Sequence, residues 1–298
     1  MKITILIISY KSLEKLENCI NSIGLNEKII VIENSNNKQI KEVIEKKYIN
    51  TKVMLNNSNL GYAKASNIGF ELIETEYAFL INTDIVITEK QIDQIEKSLI
   101  ELNDDFTLAT PLSDDLIDFN RNNKIDKYFN KEINIFKINN KISKIELVKG
   151  CSLIVNLKKF INKKIFDENF FFFFEEIDLC RKIKEKGENI YLLNKIKIDH
   201  KNAQSVDENL LSNYVNFRNW NYFWGKFYYF KKHYGYFYAL TKHFGKLIRF
   251  AFNTLRFYFI SKNQYLKNKY RFLGLFCSII GKSSKISVNI LEDKNSIN

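Results

Sequence analysis

The sequence predicts an α/β protein, a mostly parallel sheet with helices on both faces, followed by a basic, aromatic-rich helical C-terminal region. Three observations carry this. Through residue 102, apolar runs of strand length alternate with segments whose apolar residues recur at helical spacing, the pattern of βα units. The strands of that part end in polar groups, Ser9-Tyr10, Glu33-Asn34-Ser35 and Asn82-Thr83-Asp84. Composition then breaks near residue 206. Between Asn213 and Lys285 there are fourteen Lys or Arg, 24 aromatics and both tryptophans, but no Asp or Glu. Those fourteen leave 32 of the 46 basic residues against all 34 acidic ones, so the net charge of +12 resides in that segment. The expected domains are 1–205 and 206–298.

Each element has a local reason. Residues 2–8 read as a buried parallel strand. Its apolar run is too short for a signal peptide and lacks a small-residue cleavage site. Ser12 is placed to cap a helix with Leu13, Leu16, Ile20 and Ile23 on one face, and Gly24 to end it. Lys28 to Ile32 is the second strand, and Ile40, Val43 and Ile44 mark the second helix. Lys52 to Leu55 is the third strand. A polar loop, Asn56-Asn57-Ser58-Asn59, leads to a third helix near Gly61. Tyr77 to Ile81 is the fourth strand. The helix after it carries Ile92, Ile95, Leu99 and Leu102, and Thr88 with Gln91 three residues on has capping-box spacing. Residues 113–145, rich in Asn, Asp and Lys, read as a flexible insertion. A second apolar stretch begins at Val148-Lys149-Gly150-Cys151-Ser152 and runs to Val155. Glu175, Glu176 and Asp178 then open a helix that ends in lysines before Gly187, and strands are expected over 189–193 and 195–198.

With 45% hydrophobic and 27% charged residues the composition is globular, and one proline with ten glycines leaves no linker-like stretch. Cys19, Cys151, Cys180 and Cys277 are widely spaced and lack a Cys-x-x-Cys pair. They read as small apolar residues in a reducing compartment.

Asp84 is the sharpest chemical signal. A lone Asp after a strand is commonly a helix cap, but here the cap falls to Thr88. Asp84 is left at the carboxyl end of a buried strand, where open α/β sheets bind ligands. A carboxylate there suits Mg²⁺ or Mn²⁺. Three acids opening a helix are commonly ordinary helix electrostatics, and a His after a strand, as His200 is, is commonly a surface residue.

Together these features resemble the family 2 glycosyltransferases, which have the Rossmann-like nucleotide-sugar-binding fold called GT-A. The branch most similar is the bacterial rhamnosyltransferase-like enzymes of cell-surface polysaccharide synthesis. Five stretches carry the resemblance over residues 1–205. They are Ser9-Tyr10-Lys11 at the end of the first strand, Ile32-Glu33-Asn34-Ser35-Asn36, the loop Asn59 to Asn67, Ile81-Asn82-Thr83-Asp84, and the run Phe166 to Cys180. Glu33 and Glu176 stand where the family has Asp, Thr83 replaces a proline, and the loop has lost two glycines and gained Lys64.

The resemblance implies an inverting, metal-dependent glycosyltransferase. Glu176 matches the catalytic base, and Glu175 and Asp178 support the acceptor and the helix. Ser9, Tyr10, Glu33, Lys64, Asn67 and Asn82 surround the nucleotide-sugar, and Asp84 and His200 hold a Mg or Mn ion. The donor is a nucleotide-diphosphate sugar, with rhamnose a candidate, and the acceptor a saccharide or lipid-linked molecule. Two other readings stay open: a catalytically inactive relative serving as a binding scaffold, and a nucleic-acid-binding protein, which the basic aromatic tail alone suggests. No nucleic acid is expected, because the first 205 residues do not fit that role. No stretch of the tail reaches the roughly 20 apolar residues of a membrane span. Residues 213–285 instead suit an anionic membrane surface, so the expected location is cytoplasmic, peripheral on the membrane's cytoplasmic face.

Overall fold

The computed structural model describes residues 3–114, 116, 126–129, 141–200 and 211–284. It divides into two compact units. The first comprises Met1–Leu60, Lys64–Asp167 and Glu176–Ser205, and the second Gly61–Ala63, Glu168–Glu175 and Val206–Asn298. Two short segments from before residue 206 thus cluster with the C-terminal helices.

In the first unit, β1 (Ile3–Ser9), β2 (Lys28–Glu33), β3 (Thr51–Leu55) and β4 (Tyr77–Asn82) run parallel, in the spatial order β3-β2-β1-β4. The helices between them are α1 (Leu13–Ile23), α2 (Lys38–Lys47) and α3 (Tyr62–Glu71). The short β5 (Ile85–Val86) and then α4 (Glu89–Leu102) follow β4. Helices α1, α2 and α4 bury the faces that periodicity selects: Leu16, Ile20 and Ile23; Ile40 and Ile44; Ile92, Ile95 and Leu99. These side chains join Ile3, Ile5, Phe79 and Ile81 in one continuous core.

Helix termini follow expectation in part. Thr88 and Gln91 form the reciprocal capping box of α4, and Gly24 ends α1 at φ 88°. Ser12 occupies the N-cap of α1 but makes no side-chain capping bond; its hydroxyl instead lies 3.4 Å from that of Ser9.

Beyond α4 the sheet departs from the simple alternation. Strands β6 (Leu108–Leu112) and β7 (Ile142–Ile145) were not expected from the pattern, and β8 (Ser152–Asn156) runs antiparallel between β4 and β6. The eight-stranded order is β3-β2-β1-β4-β8-β6-β9-β7. The two strands expected over 189–198 are one, β9 (Ile190–Lys197). Asn194, which seemed to break it, is accommodated by pairing: its main-chain N–H donates to the Lys141 carbonyl at 3.0 Å and its amide to the Ser143 hydroxyl at 2.7 Å. A two-residue strand, β10 (Asp199–His200), pairs antiparallel with β5. Most of the insertion expected over 113–145 lies outside the described residues.

The second unit contains three long helices, α6 (Leu211–Tyr234), α7 (Tyr236–Phe257) and α8 (Lys262–Ile279); α5 (Glu175–Glu185) begins at its edge. Gly235, at φ 89°, supplies the left-handed residue between α6 and α7. Helices α6 and α8 approach so closely that a Cβ on Gly274 would lie 2.2 Å from the Trp220 carbonyl oxygen. Rings fill this unit. Phe170 packs edge-on against Tyr228 at 4.9 Å between centroids, and Phe174 tilts against Tyr222 at 5.3 Å. The Trp224 indole N–H donates to the Lys282 carbonyl at 2.8 Å. Among the described residues, no helix is long and apolar enough to cross a membrane.

Candidate active site

Strand register brings three of the expected residues to one edge of the sheet. Ser9 pairs with Glu33 across β1 and β2, and Ile8, one residue earlier, pairs with Asn82 across β1 and β4. All three strands are parallel, so all three residues sit at carboxyl ends, where ligands of such sheets bind.

Glu33 is fully buried. One carboxylate oxygen accepts from the Lys11 main-chain N–H at 3.2 Å and from the Ser35 hydroxyl. Lys11 takes a left-handed φ of 50° in that turn. The other Glu33 oxygen, Oε2, is buried with no hydrogen-bond partner among the described residues. Buried polar atoms are nearly always satisfied, so an orphaned carboxylate oxygen calls for a donor from outside the chain. Next to it, the Asn34 amide oxygen accepts from Asn56 Nδ2 and from the Leu60 N–H, both at 3.0 Å, and its nitrogen donates to Asn59 Oδ1 at 3.0 Å. Asn34 therefore ties the end of β2 to the loop after β3. Sequence reasoning quoted Asn34 and that loop but did not see the tie; the Asn-rich run 56–59 was its only signal.

Asp84 is half-buried just beyond β4. With Thr88 capping α4, it lies outside the helix. Its charge reaches Cys19, whose thiol is pushed up to about 12, first by burial and then by Asp84. The pairing of β10 with β5 sets His200 opposite Ile85, the residue after Asp84. The two expected metal residues thus belong to neighbouring backbone positions. Among the described residues no group of three or more His, Cys, Asp or Glu side chains is assembled to hold a metal. A cation arriving on a diphosphate needs less, since Mg²⁺ commonly takes one or two carboxylates and fills its shell with phosphate oxygens and water. A carboxylate beside the strand end fits that chemistry.

The remaining expected residues divide. Tyr10 is partly exposed, with the Lys11 ammonium 5.6 Å from its ring centroid. Lys64 is exposed on α3. Asn67, expected near the donor, hydrogen-bonds main chain with its buried amide. It donates to the Phe166 carbonyl at 3.0 Å and accepts from the N–H groups of Ile165 and Phe166 at 3.2 and 3.0 Å. The geometry makes it a clamp on the approach to the phenylalanine run.

Glu175, Glu176 and Asp178 are all buried in the first turn of α5. Asp178 Oδ2 lies 2.8 Å from Lys182 Nζ, one helical turn on. Glu176 and Asp178 both add to the upward push on the buried Cys180 thiol, which burial drives to about 12. Immediately before α5, Phe173 and Phe174 adopt φ of 71° and 76°. Bulky side chains are genuine outliers there, and such strain persists only where packing imposes it. In the second unit the rings of Tyr222 and Tyr229 pack tilted against Phe174, and a Cβ on Gly225 would come within 3.0 Å of the Phe173 carbonyl oxygen. The Tyr62 N–H donates to the Phe171 carbonyl at 2.7 Å, and Gly61, at φ 82°, leaves room for that oxygen. This joining of the glycine loop to the phenylalanine run had no signal in either segment alone.

Comparison with known proteins agrees with this layout. A family model described as "Glycosyl transferase family 2" matches residues 4–169. No curated protein matches the chain in sequence. Among solved structures, a mannosyltransferase from Pyrobaculum calidifontis in complex with GDP-Man and Mn²⁺ superposes with a TM-score of 0.55 at 10% identity, covering 93% of this chain and 87% of that one. S. aureus TarS 1-349 in complex with UDP gives 0.50 at 13% identity, covering 96% and 94%. At such identities the likeness is one of fold, the GT-A arrangement.

Proposed function

Because the chain belongs to glycosyl transferase family 2, we propose that it moves a sugar, with inversion, from a nucleotide-diphosphate donor to a saccharide or lipid-linked acceptor. The observation that carries this is the strand-end group: Ser9, Glu33 and Asn82 in adjoining register, with Asp84 just beyond. The orphaned Glu33 oxygen supports a contact with a hydroxyl or N–H of the nucleoside. Glu33 is held at its other oxygen by Lys11 and Ser35, so it accepts that bond without rearranging.

In this reading the acceptor hydroxyl attacks the anomeric carbon from the face opposite the diphosphate. Glu176 takes the proton as the new C–O bond forms. The bond to the diphosphate breaks, and its electron pair leaves with the phosphate. Asp84 and His200 would hold a divalent cation, which when bound would supply neutralisation of that leaving group. Glu175 and Asp178 hold the start of α5 and the acceptor, and Lys64 reaches a donor phosphate. GDP-Man in one structural neighbour and UDP in the other support a nucleotide-diphosphate donor. Rhamnose is the proposed sugar on the resemblance of the motifs, and synthesis of cell-surface polysaccharide the proposed setting.

The test is a thermal-shift screen of nucleotide diphosphates and nucleotide sugars, with and without Mn²⁺. A ligand at a hundred times its Kd adds about 2.7 kcal/mol to stability, a rise of about 4 °C for a chain of this size. The expected result is a rise with one nucleotide family that is larger with Mn²⁺, and hydrolysis of the matching sugar donor. No rise with any nucleotide would overturn the reading.

A further inference from the structure

We propose that the outward face of α7 is a docking surface for an anionic phospholipid bilayer. The proposal deepens the reading of a lipid-linked acceptor, and it stands on how the rings of the helical unit are divided. Phe217, Trp220, Trp224, Phe227, Tyr229 and Phe230 of α6 are buried. On α7 the rings face outward: Phe237 is 81% exposed, Phe252 62% and, just past its end, Phe259 90%. Phe244, Ile248 and Leu255 are exposed with them. At about 100° of turn per residue, the five of these within α7 fall in an arc of about 80°. Ala239, His243 and Phe250, the buried residues of α7, lie on the opposite side.

Charge identifies the occupant. Arg249 and Arg256 are exposed on the flank of that stripe, with Lys242 and Lys246 further round the helix, and no acid occurs from Asn213 to Lys285. Rings at the crest with cations beside them match the depth profile of an anionic bilayer, acyl chains below and phosphates above. A second copy of this face would bring like charges together. Nucleic acid would need the cations at the crest to reach phosphates.

The experiment is co-sedimentation of the full chain with vesicles of phosphatidylglycerol and phosphatidylcholine, against phosphatidylcholine alone, at low and high salt. Binding is expected to the anionic vesicles only, at least tenfold weaker at high salt. The variant Phe237→Ser/Phe252→Ser/Phe259→Ser should bind at least tenfold more weakly with an unchanged melting temperature. Arg249→Glu/Arg256→Glu provides a second variant, expected to lose the preference for anionic lipid. Parent-like binding by both variants, no pelleting of the parent, or a dimer in light scattering that the Phe variant dissociates would each overturn the proposal. The assay reads binding and not transfer, so an inactive or nucleotide-free protein that still pellets would fail the enzymatic reading alone.

Discussion

The two units bury polar groups in opposite ways. In the helical unit, buried polar side chains turn back on their own helices. Asn221 donates to the Phe217 carbonyl, Asn268 to that of Gln264, and the His243 ring bonds that of Ala239, each four residues earlier. Such bonds hold each side chain on its own helix, although Asn221 Oδ1 and His243 Nε2 stay buried without a partner among the described residues and Asn268 Oδ1 also accepts from Asn253 of α7 at 3.4 Å. In the sheet unit, polar residues gather where strands end, and their partners come from different loops: Lys11 and Ser35 on Glu33, Asn56 and Leu60 on Asn34. The first arrangement ties polar groups into a bundle of rings. The second holds side chains where the backbone stops, the position from which a ligand is contacted. Burial alone therefore does not separate structural from chemical residues; the origin of the partner does.

Breaking the chemical side of that contrast should give the largest effect. Glu176→Gln keeps shape and removes the base. A positioned base is worth about 10²–10⁴ in rate. Turnover should fall by about a thousandfold in single-turnover assays, while donor affinity measured by calorimetry stays within about twofold. Parent-like turnover would leave the protein a scaffold, or the base elsewhere.

The close helix contact sharpens the packing side. Gly274→Ala would drive a methyl into the Trp220 main-chain carbonyl, 2.2 Å away. Backbone between two long helices yields little, so a loss of about 2–4 kcal/mol in denaturant unfolding is expected. Gly69→Ala in α3 meets only the end of Leu6, at 2.4 Å from Cδ1. That side chain can turn, and alanine adds up to about 1 kcal/mol of helix propensity, so a change within about 1 kcal/mol is expected. Equal losses at both positions would mean the two units pack with the same rigidity.

His243 tests whether the ring bundle stays dry. Its pKa is pushed down to about 4, mainly by burial, with Lys246, Lys226 and Lys242 adding repulsion and the Ala239 carbonyl opposing. A folded-state value below the unfolded one near 6.5 means the unfolded chain binds the proton first. Stability should therefore be full above about pH 6.5 and fall as pH drops toward 4, by about 2–3 kcal/mol from this group. Denaturant curves of parent and His243→Leu at pH 7.5 and 4.5 would read it: the parent should lose more than the variant. An identical pH dependence would place His243 in contact with water.

How far all this was legible follows from range. The strands β1 to β4 and helices α1, α2 and α4 were readable because each carries its own period, and the strand-end residues because they interrupt it. Strand β6 was hidden by Thr110 and Pro111; Pro111 lacks an N–H, and the pairing of β6 with β9 shifts register just after it. Asn194 looked like a break because its partners, Lys141 and Ser143, lie some fifty residues away. The clamp by Asn67 on Phe166, and the union of Gly61 and Tyr62 with Phe171, are contacts across about a hundred residues. No local pattern encodes them. The exposed stripe of α7 was foreseen only as a basic aromatic tail, since ring count does not say which rings a bundle covers.

The smallest expected effect isolates the residue on which the metal reading turns. Thr88 and Asp84 are four residues apart after the same strand, and either could in principle cap α4. The structure gives the cap to Thr88, whose hydroxyl accepts from the Gln91 N–H at 3.4 Å while the Gln91 side chain accepts from the Thr88 N–H at 2.8 Å. Thr88→Ala should therefore cost about 1 kcal/mol of stability and leave the Mn²⁺-dependent part of nucleotide binding intact. Asp84→Ala should do the reverse, holding stability and losing the metal dependence. Thermal melts with and without nucleotide and Mn²⁺ read both variants in one experiment. If Asp84→Ala destabilised the protein as much as Thr88→Ala while nucleotide still responded to Mn²⁺, Asp84 would be a structural residue and the cation would need another carboxylate.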